Sequence, residues 1–192
     1  MNDIYLYIIG NIYQFLGVFF SIIYVWLSIR ENVFCWVALI IASIFNMIAY
    51  NLINLPLQVF MQLFFIGTGL YGWYNWRRKQ NGQSLVIQNL GFKRSIYYLF
   101  IGLIMTLILT AILKNLEISN YPFLDSLMFS FNIIPMYMMG KKIIESWIFF
   151  IAIDIISGIF FLLTTEYFFT ALFFCYIGFA TYGYISWKKQ LK

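Results

Sequence analysis

Asp154 is the residue whose surroundings most clearly call for chemistry. It lies in Trp147-Ile-Phe-Phe-Ile-Ala-Ile-Asp154-Ile-Ile-Ser157-Gly158, an otherwise apolar run. A carboxylate at the centre of a membrane helix costs about 2.5–3.5 kcal/mol on insertion scales, so it is expected to face a bundle interior or a wet cavity and to have a partner. No Lys or Arg falls at comparable depth in any long apolar stretch of the chain, which leaves a bound molecule as the source of the counter-charge. Trp147, Phe150, Asp154 and Ser157 follow the i, i+3, i+7, i+10 spacing that lines up one helix face. At a rise of about 1.5 Å per residue, Asp154 sits about 10 Å deeper than Trp147. Aromatic faces leading to a desolvated anion suit a flat, cationic, heteroaromatic ligand. Asn46, Gln58, Gln62, Asn132, Tyr176 and Tyr182 are weaker polar signals within apolar stretches; neutral groups of this kind commonly bridge helices for about 0.6 kcal/mol each. Asp125, in Tyr-Pro-Phe-Leu-Asp125-Ser126, is expected to cap a helix N-terminus.

The residue inventory excludes much else. With no His in the chain, imidazole acid–base catalysis, His-ligated zinc or haem and a serine triad are ruled out. Cys35 and Cys175 stand alone in apolar stretches, without the spacing of a metal knuckle or a disulfide framework. No phosphate-binding glycine loop is present. The chain is therefore not expected to be an enzyme, nor to carry a cofactor or a metal, and its basic charge is better explained by membrane topology than by nucleic acid.

The elements that must position Asp154 follow from composition. Of 192 residues 63% are hydrophobic, 22% aromatic and only 10% charged, whereas a soluble domain has about 25% charged residues. This predicts an all-α integral membrane protein. A hydrocarbon core about 30 Å thick needs roughly 17–25 apolar residues per helix, and seven segments qualify, at about 9–28, 34–51, 56–76, 95–113, 122–139, 145–163 and 167–187. The first is expected to be a retained helix rather than a signal peptide. With seven spans, eleven of the twelve Lys and Arg fall on one side and Lys114 alone on the other. By the positive-inside rule the amino terminus is then outside and the carboxyl terminus cytoplasmic. Trp36, Trp76, Trp147 and Trp187 all fall near that cytoplasmic boundary, where indoles serve as interfacial anchors, and Trp147 is equally placed to touch a ligand.

The sequence also repeats. A shift of 111 residues places Ile66-Gly67-x-x-x-Tyr71-Gly72-x-x-x-Trp76 on Ile177-Gly178-x-x-x-Tyr182-Gly183-x-x-x-Trp187, Trp36 on Trp147 and Arg30 on Lys141, with ten identities over residues 36–76. Two three-helix units separated by one helix enter the membrane in the same direction, a parallel repeat of 3+1+3 helices. The expected divisions are 9–80, a linker helix at 93–116, and 120–192. Such repeats place a substrate site near the midplane between bundles, which favours transport. Gly67, Gly69, Gly72, Gly178 and Gly183 are expected to allow close helix approach.

Tyr71-Gly72-Trp73-Tyr74-Asn75-Trp76, Asp125-Ser126, Glu145-Ser-Trp147 and Tyr182-Gly183-Tyr-Ile-Ser-Trp187-Lys188-Lys189 together resemble the Pnu-type (PnuC/PnuT) vitamin transporters over nearly the whole chain. The resemblance implies a seven-helix, SWEET-like fold in a homotrimer. It also implies facilitated diffusion into bacteria, followed by trapping through phosphorylation. The family's riboside carriers show W-x-x-W-x-x-x-N on the sixth helix, whereas Trp147-x-x-Phe150-x-x-x-Asp154 is nearer the thiamine-carrying W-x-x-W-x-x-x-D pattern. The resemblance thus implies thiamine as cargo. Its alternatives are nicotinamide riboside on the same fold, or a proton-coupled carrier using Asp154. Asp154 pairs with the cation in this reading, Trp147 and Phe150 stack on it, Gln62 reads a polar edge, and Ser157 and Tyr182 complete the contacts.

Overall fold

A computed structural model describes residues 12–52, 56–78, 84–117, 119–163 and 167–191. They form seven helices: α1 (Ile12–Ile29), α2 (Cys35–Leu52), α3 (Pro56–Arg77), α4 (Phe92–Leu116), α5 (Pro122–Gly140), α6 (Ser146–Leu163) and α7 (Tyr167–Lys188). All seven predicted segments are helices. Most ends agree within a residue or two, while α4 extends three residues further at each end; residues 9–11 lie outside the described set. By length and apolar composition, α1, α2, α4 and α6 each suffice to cross a membrane. α3 and α7 carry more Gln, Asn, Tyr and Gly, and α5 carries Asp125 and two prolines.

The chain divides into two compact units, Met1–Gly82 and Gln83–Lys192. In the first, α2 packs against both α1 and α3; in the second, α4, α5, α6 and α7 pack in sequence, so the linker helix belongs with the second unit.

The turn after α1 and the turn after α5 are built alike. Asn32 N–H donates to the Leu27 carbonyl and Glu31 N–H to that of Ser28, each at 3.0 Å. At positions 111 residues on, Ile143 N–H donates to Met138 at 3.0 Å and Lys142 N–H to Met139 at 2.9 Å. This paired closure of a helix end requires a left-handed residue, and Glu31 and Lys142 hold it at φ 54° and 53°.

Cations repeat as well. Arg30 lies 4.7 Å over Trp26 and Lys141 4.6 Å over Tyr137, while Arg77 lies 5.3 Å over Trp73 and Lys188 5.7 Å over Tyr184. Each pair closes a helix C-terminus, where a cation is favourable.

Inside each unit two indoles meet edge to face, Trp36 with Trp76 at 5.3 Å and Trp147 with Trp187 at 5.5 Å. All four are buried, which corrects their reading as interfacial anchors. The rings at the cationic helix ends are Trp26, Trp73, Tyr137 and Tyr184 instead. The burial needs a facing residue without a side chain. A Cβ on Gly72 would lie 2.3 Å from the Trp36 ring, and one on Gly183 would lie 2.8 Å from Trp147. Gly69 is similarly close to Ile40, whereas a Cβ on Gly67 or Gly178 meets nothing within 4 Å. We therefore expect Gly72→Ala and Gly183→Ala to destabilise by about 1–3 kcal/mol through overpacking. Gly67→Ala should be neutral or stabilising through helix propensity. Thermal melting of the three variants in detergent checks the contrast.

Hydroxyls within the helices mostly satisfy themselves. Ser21, Ser28, Thr106, Thr110, Ser126 and Thr181 each donate to the carbonyl four residues back, at 2.6–2.8 Å, the local solution open to a hydroxyl away from water. Ser43, Ser130, Ser146 and Ser157 are buried without a partner, as are the Nε1 atoms of Trp36 and Trp147.

Candidate functional site

The site grows from α6. Trp147, Asp154 and Ser157 are all buried, Asp154 to 6% exposure. Phe150 is half-buried, its ring 6.4 Å from that of Trp147. These four residues share the face that their spacing predicts. No hydrogen bond or ion pair joins Asp154 to another described residue.

Helix α7 supplies the facing wall. Gly183 packs on Trp147, and a Cβ on Gly158 would meet Phe173 at 3.5 Å. These two contacts bracket Asp154 along the antiparallel pair and put it level with Tyr176 and Ile177. Beyond it, Phe161 stacks on Phe173 at 5.5 Å, and Phe173 meets Tyr176 edge-on at 6.1 Å. Along α6, Asp154 therefore lies between the Trp147–Phe150 contact and the Phe161–Phe173 contact. Helix α5 closes a third side with a core of Met128 and Phe131 against Ile153, with Phe149 and Phe150 packed on it.

Other expected contacts fall elsewhere. Tyr182 is 54% exposed. It precedes Gly183, and one residue turns a helix by about 100°, so it lies off the face that packs on Trp147 and is not grouped with Asp154. Asn132 donates its amide to the Met128 carbonyl at 2.7 Å. Asn46 is directed at Gly17, where a Cβ would lie 1.9 Å from its Oδ1. Asp125 does not cap: Pro122 opens α5, Tyr121 is the capping position, and Asp125 accepts the Ser119 hydroxyl from within the first turn. Gln62, on α3 of the first unit, is buried, and no hydrogen bond ties its amide to a described residue.

Sequence reasoning used Glu145 only as part of a motif, and its task is specific. Its buried carboxylate accepts from Leu90 N–H at 3.0 and 3.2 Å and from Gly91 N–H at 3.0 Å. Gly91, at the N-cap of α4, has no side chain to cap with. An acid more than fifty residues away therefore caps that helix, where negative charge is favoured. Reciprocal bonds between Gln88 and the 142–144 turn, Gln88 N–H to Lys142 at 2.9 Å and Ile144 N–H to Gln88 at 3.0 Å, strap the same segment beside Trp147.

A buried acid on a helix face that also carries Trp147 and Phe150 can hold a cation. The site pairs no nucleophile with a base, and among the described residues no three His, Cys, Asp or Glu gather as a metal site. Long apolar helices, one of which buries a carboxylate that no described residue pairs with, are features of membrane transport proteins. The chain belongs to the nicotinamide mononucleotide transporter family, whose model matches residues 11–189. It is 28% identical to the nicotinamide riboside transporters PnuC of Escherichia coli (strain K12) and Shigella flexneri, over 67% of this chain and 64% of each relative. It thus spans somewhat less than two thirds of their length. The fold is that of the crystal structure of the vitamin B3 transporter PnuC, with a TM-score of 0.80 over 99% of this chain and 86% of that one, at 14% identity. The family and these relatives are transporters, not enzymes.

Proposed function

We propose that this chain carries nicotinamide riboside across the bacterial inner membrane by facilitated diffusion. One observation carries the reading: in a chain of this family, Asp154 is buried on the helix face that also bears Trp147 and Phe150, with no hydrogen bond or ion pair to a described residue. The riboside's pyridinium ring is a flat permanent cation, so the carboxylate pairs with it while Trp147 and Phe150 stack on its faces. Ser157 is the nearest hydroxyl on the same helix face, and Gln62 of the first unit is the proposed reader of a polar edge. The thiamine expectation, drawn from the Asp in the α6 pattern, gives way to the riboside, since the curated relatives are riboside transporters and charge alone does not separate the two cations. Asp154 also argues against a phosphorylated nucleotide as cargo, because a desolvated carboxylate repels phosphate. The two 111-related units support a 3+1+3 parallel repeat. In this reading the amino terminus is outside and the carboxyl terminus cytoplasmic, the assembly is a homotrimer, and phosphorylation inside the cell traps the cargo.

Uptake of labelled nicotinamide riboside into proteoliposomes, with excess unlabelled thiamine or nicotinamide mononucleotide as competitors, tests the proposal. The riboside should equilibrate, and neither competitor should displace it strongly. Uptake no faster than in protein-free liposomes would end the proposal. Accumulation driven by a pH gradient would replace facilitated diffusion with proton coupling.

A further inference from the structure

Helix α4 has no counterpart in the 111-residue correspondence, and within the second unit it adds to what the repeat supplies. At the end of α5 the Lys141 ammonium lies 4.6 Å over the Tyr137 ring. α4 brings a second ring to the same place, Tyr98, whose centroid lies 6.4 Å from that of Tyr137. The two helices run antiparallel, with Tyr98 beside Tyr137 and Gly102 beside Phe131 and Ile134. One turn further towards the helix ends, that register sets Arg94 of α4 level with Lys141 of α5. Packed helices lie about 8–10 Å apart between axes, so two long cationic side chains at one level can reach a shared point. Their backbones are held from below. Leu90, Tyr98 and Ile101 pack on the cluster of Ile134, Met138 and Ile143, and the Gln88 strap ties the segment before α4 to the turn that follows Lys141.

Within this unit no described acid offsets the pair at the surface. Glu117 and Asp125 lie at the opposite end, at the close of α4 and the opening of α5. Asp154 is midway along α6. Glu145 is buried, and its carboxylate accepts from Leu90 N–H and Gly91 N–H. Arg94 is exposed, and no hydrogen bond or ion pair joins it to a described residue. Two cations at one level repel each other, and one of them stands in the first turn of a helix, where positive charge is disfavoured. An anion between them relieves both costs. Deeper along α4, Tyr97, Phe100, Ile104 and Leu107 are each more than half exposed, on a helix long and apolar enough to cross a membrane. Cations at the helix ends above an uncovered apolar face match one kind of molecule, a charged headgroup on hydrocarbon chains.

We propose that Arg94 and Lys141, with the Tyr98 and Tyr137 hydroxyls beside them, bind the phosphodiester of an anionic phospholipid whose acyl chains lie along the exposed face of α4. The guanidinium takes two phosphate oxygens and the ammonium a third contact. A zwitterionic headgroup is the poorer occupant, because its own ammonium meets two cations. The site fastens α4 to α5 from outside, where the Glu145 cap and the Gln88 strap fasten the same segment from inside. It stands apart from the riboside reading and needs no cargo.

Titrating the purified full chain in detergent with phosphatidylglycerol, with phosphatidylcholine of the same acyl chains and with inorganic phosphate tests this, bound lipid being read by native mass spectrometry and stability by thermal melting. Phosphatidylglycerol should be retained in preference to phosphatidylcholine and should raise the melting temperature. Arg94→Gln with Lys141→Gln should weaken its binding about 30-fold, and Arg94→Gln alone, at an exposed side chain, about fivefold. Lys188→Gln with Lys189→Gln removes the same charge from the same end of the unit and should bind within about twofold of the unaltered chain. If the Arg94 and Lys141 double variant folds poorly, Arg94→Gln alone decides. Equal retention of the two lipids, equal losses in the two double variants, unaltered binding by Arg94→Gln, or displacement of the lipid by inorganic phosphate would each overturn the proposal.

Discussion

Asp154→Leu is expected to lower nicotinamide riboside uptake about 100-fold, a loss of about 2.7 kcal/mol, while raising the melting temperature of the ligand-free protein. The two effects have one cause. Asp154 is 6% exposed, and no hydrogen bond or ion pair joins it to a described residue. At the centre of a membrane helix Asp is disfavoured relative to Leu by about 3–4 kcal/mol, and an apolar replacement removes that cost. A carboxylate held for the cargo therefore destabilises the empty protein. Asp154→Asn, which supplies the residue of the riboside-carrying pattern, should retain part of the uptake because the amide still hydrogen-bonds. Uptake assays and thermal melts on the same preparations decide the matter. A variant that loses both transport and stability would show that Asp154 holds the protein together and is not a ligand group.

Glu145→Ala should destabilise the second unit by about 3 kcal/mol, since it leaves Leu90 N–H and Gly91 N–H without their charged acceptor and hydrogen bonds to charged groups are worth about 1.5–3 kcal/mol each. Glu145→Gln keeps an acceptor oxygen but loses the charge at the N-terminus of α4, and should cost about 1 kcal/mol. Hydrogen exchange localises the effect: protection should fall first in the opening turn of α4 and at Gln88, which shares the strap. Unchanged exchange there with lost global stability would place the role of Glu145 elsewhere.

Much of the architecture was legible because apolar length and charge spacing are one-dimensional properties. The start of α3 at Pro56 and of α5 at Pro122 agree with expectation, since Pro fits the first helical turn and ends the extended segment before it. The alignment of Trp147, Phe150, Asp154 and Ser157 followed from helical periodicity alone. The face on which Tyr182 lies was not legible because membership of a helix does not reveal which face is buried; the Gly183–Trp147 contact fixes the rotation of α7. The four repeated indoles looked like anchors because Trp is amphipathic, and their burial depends on glycines on the opposing helices. The capping role of Glu145 carried no visible signal, since its partners are backbone amides distant in sequence.

The paired indoles also give the protein internal optical probes. Trp36 with Trp76 and Trp147 with Trp187 lie 5.3 and 5.5 Å apart by ring centroid, close enough for excitation to pass within a pair. Only Trp26 and Trp73 of the six tryptophans lie outside these pairs. A cationic guest settling beside Trp147 would therefore dim the emission of Trp187 as well, so the second bundle reports occupancy without any attached label.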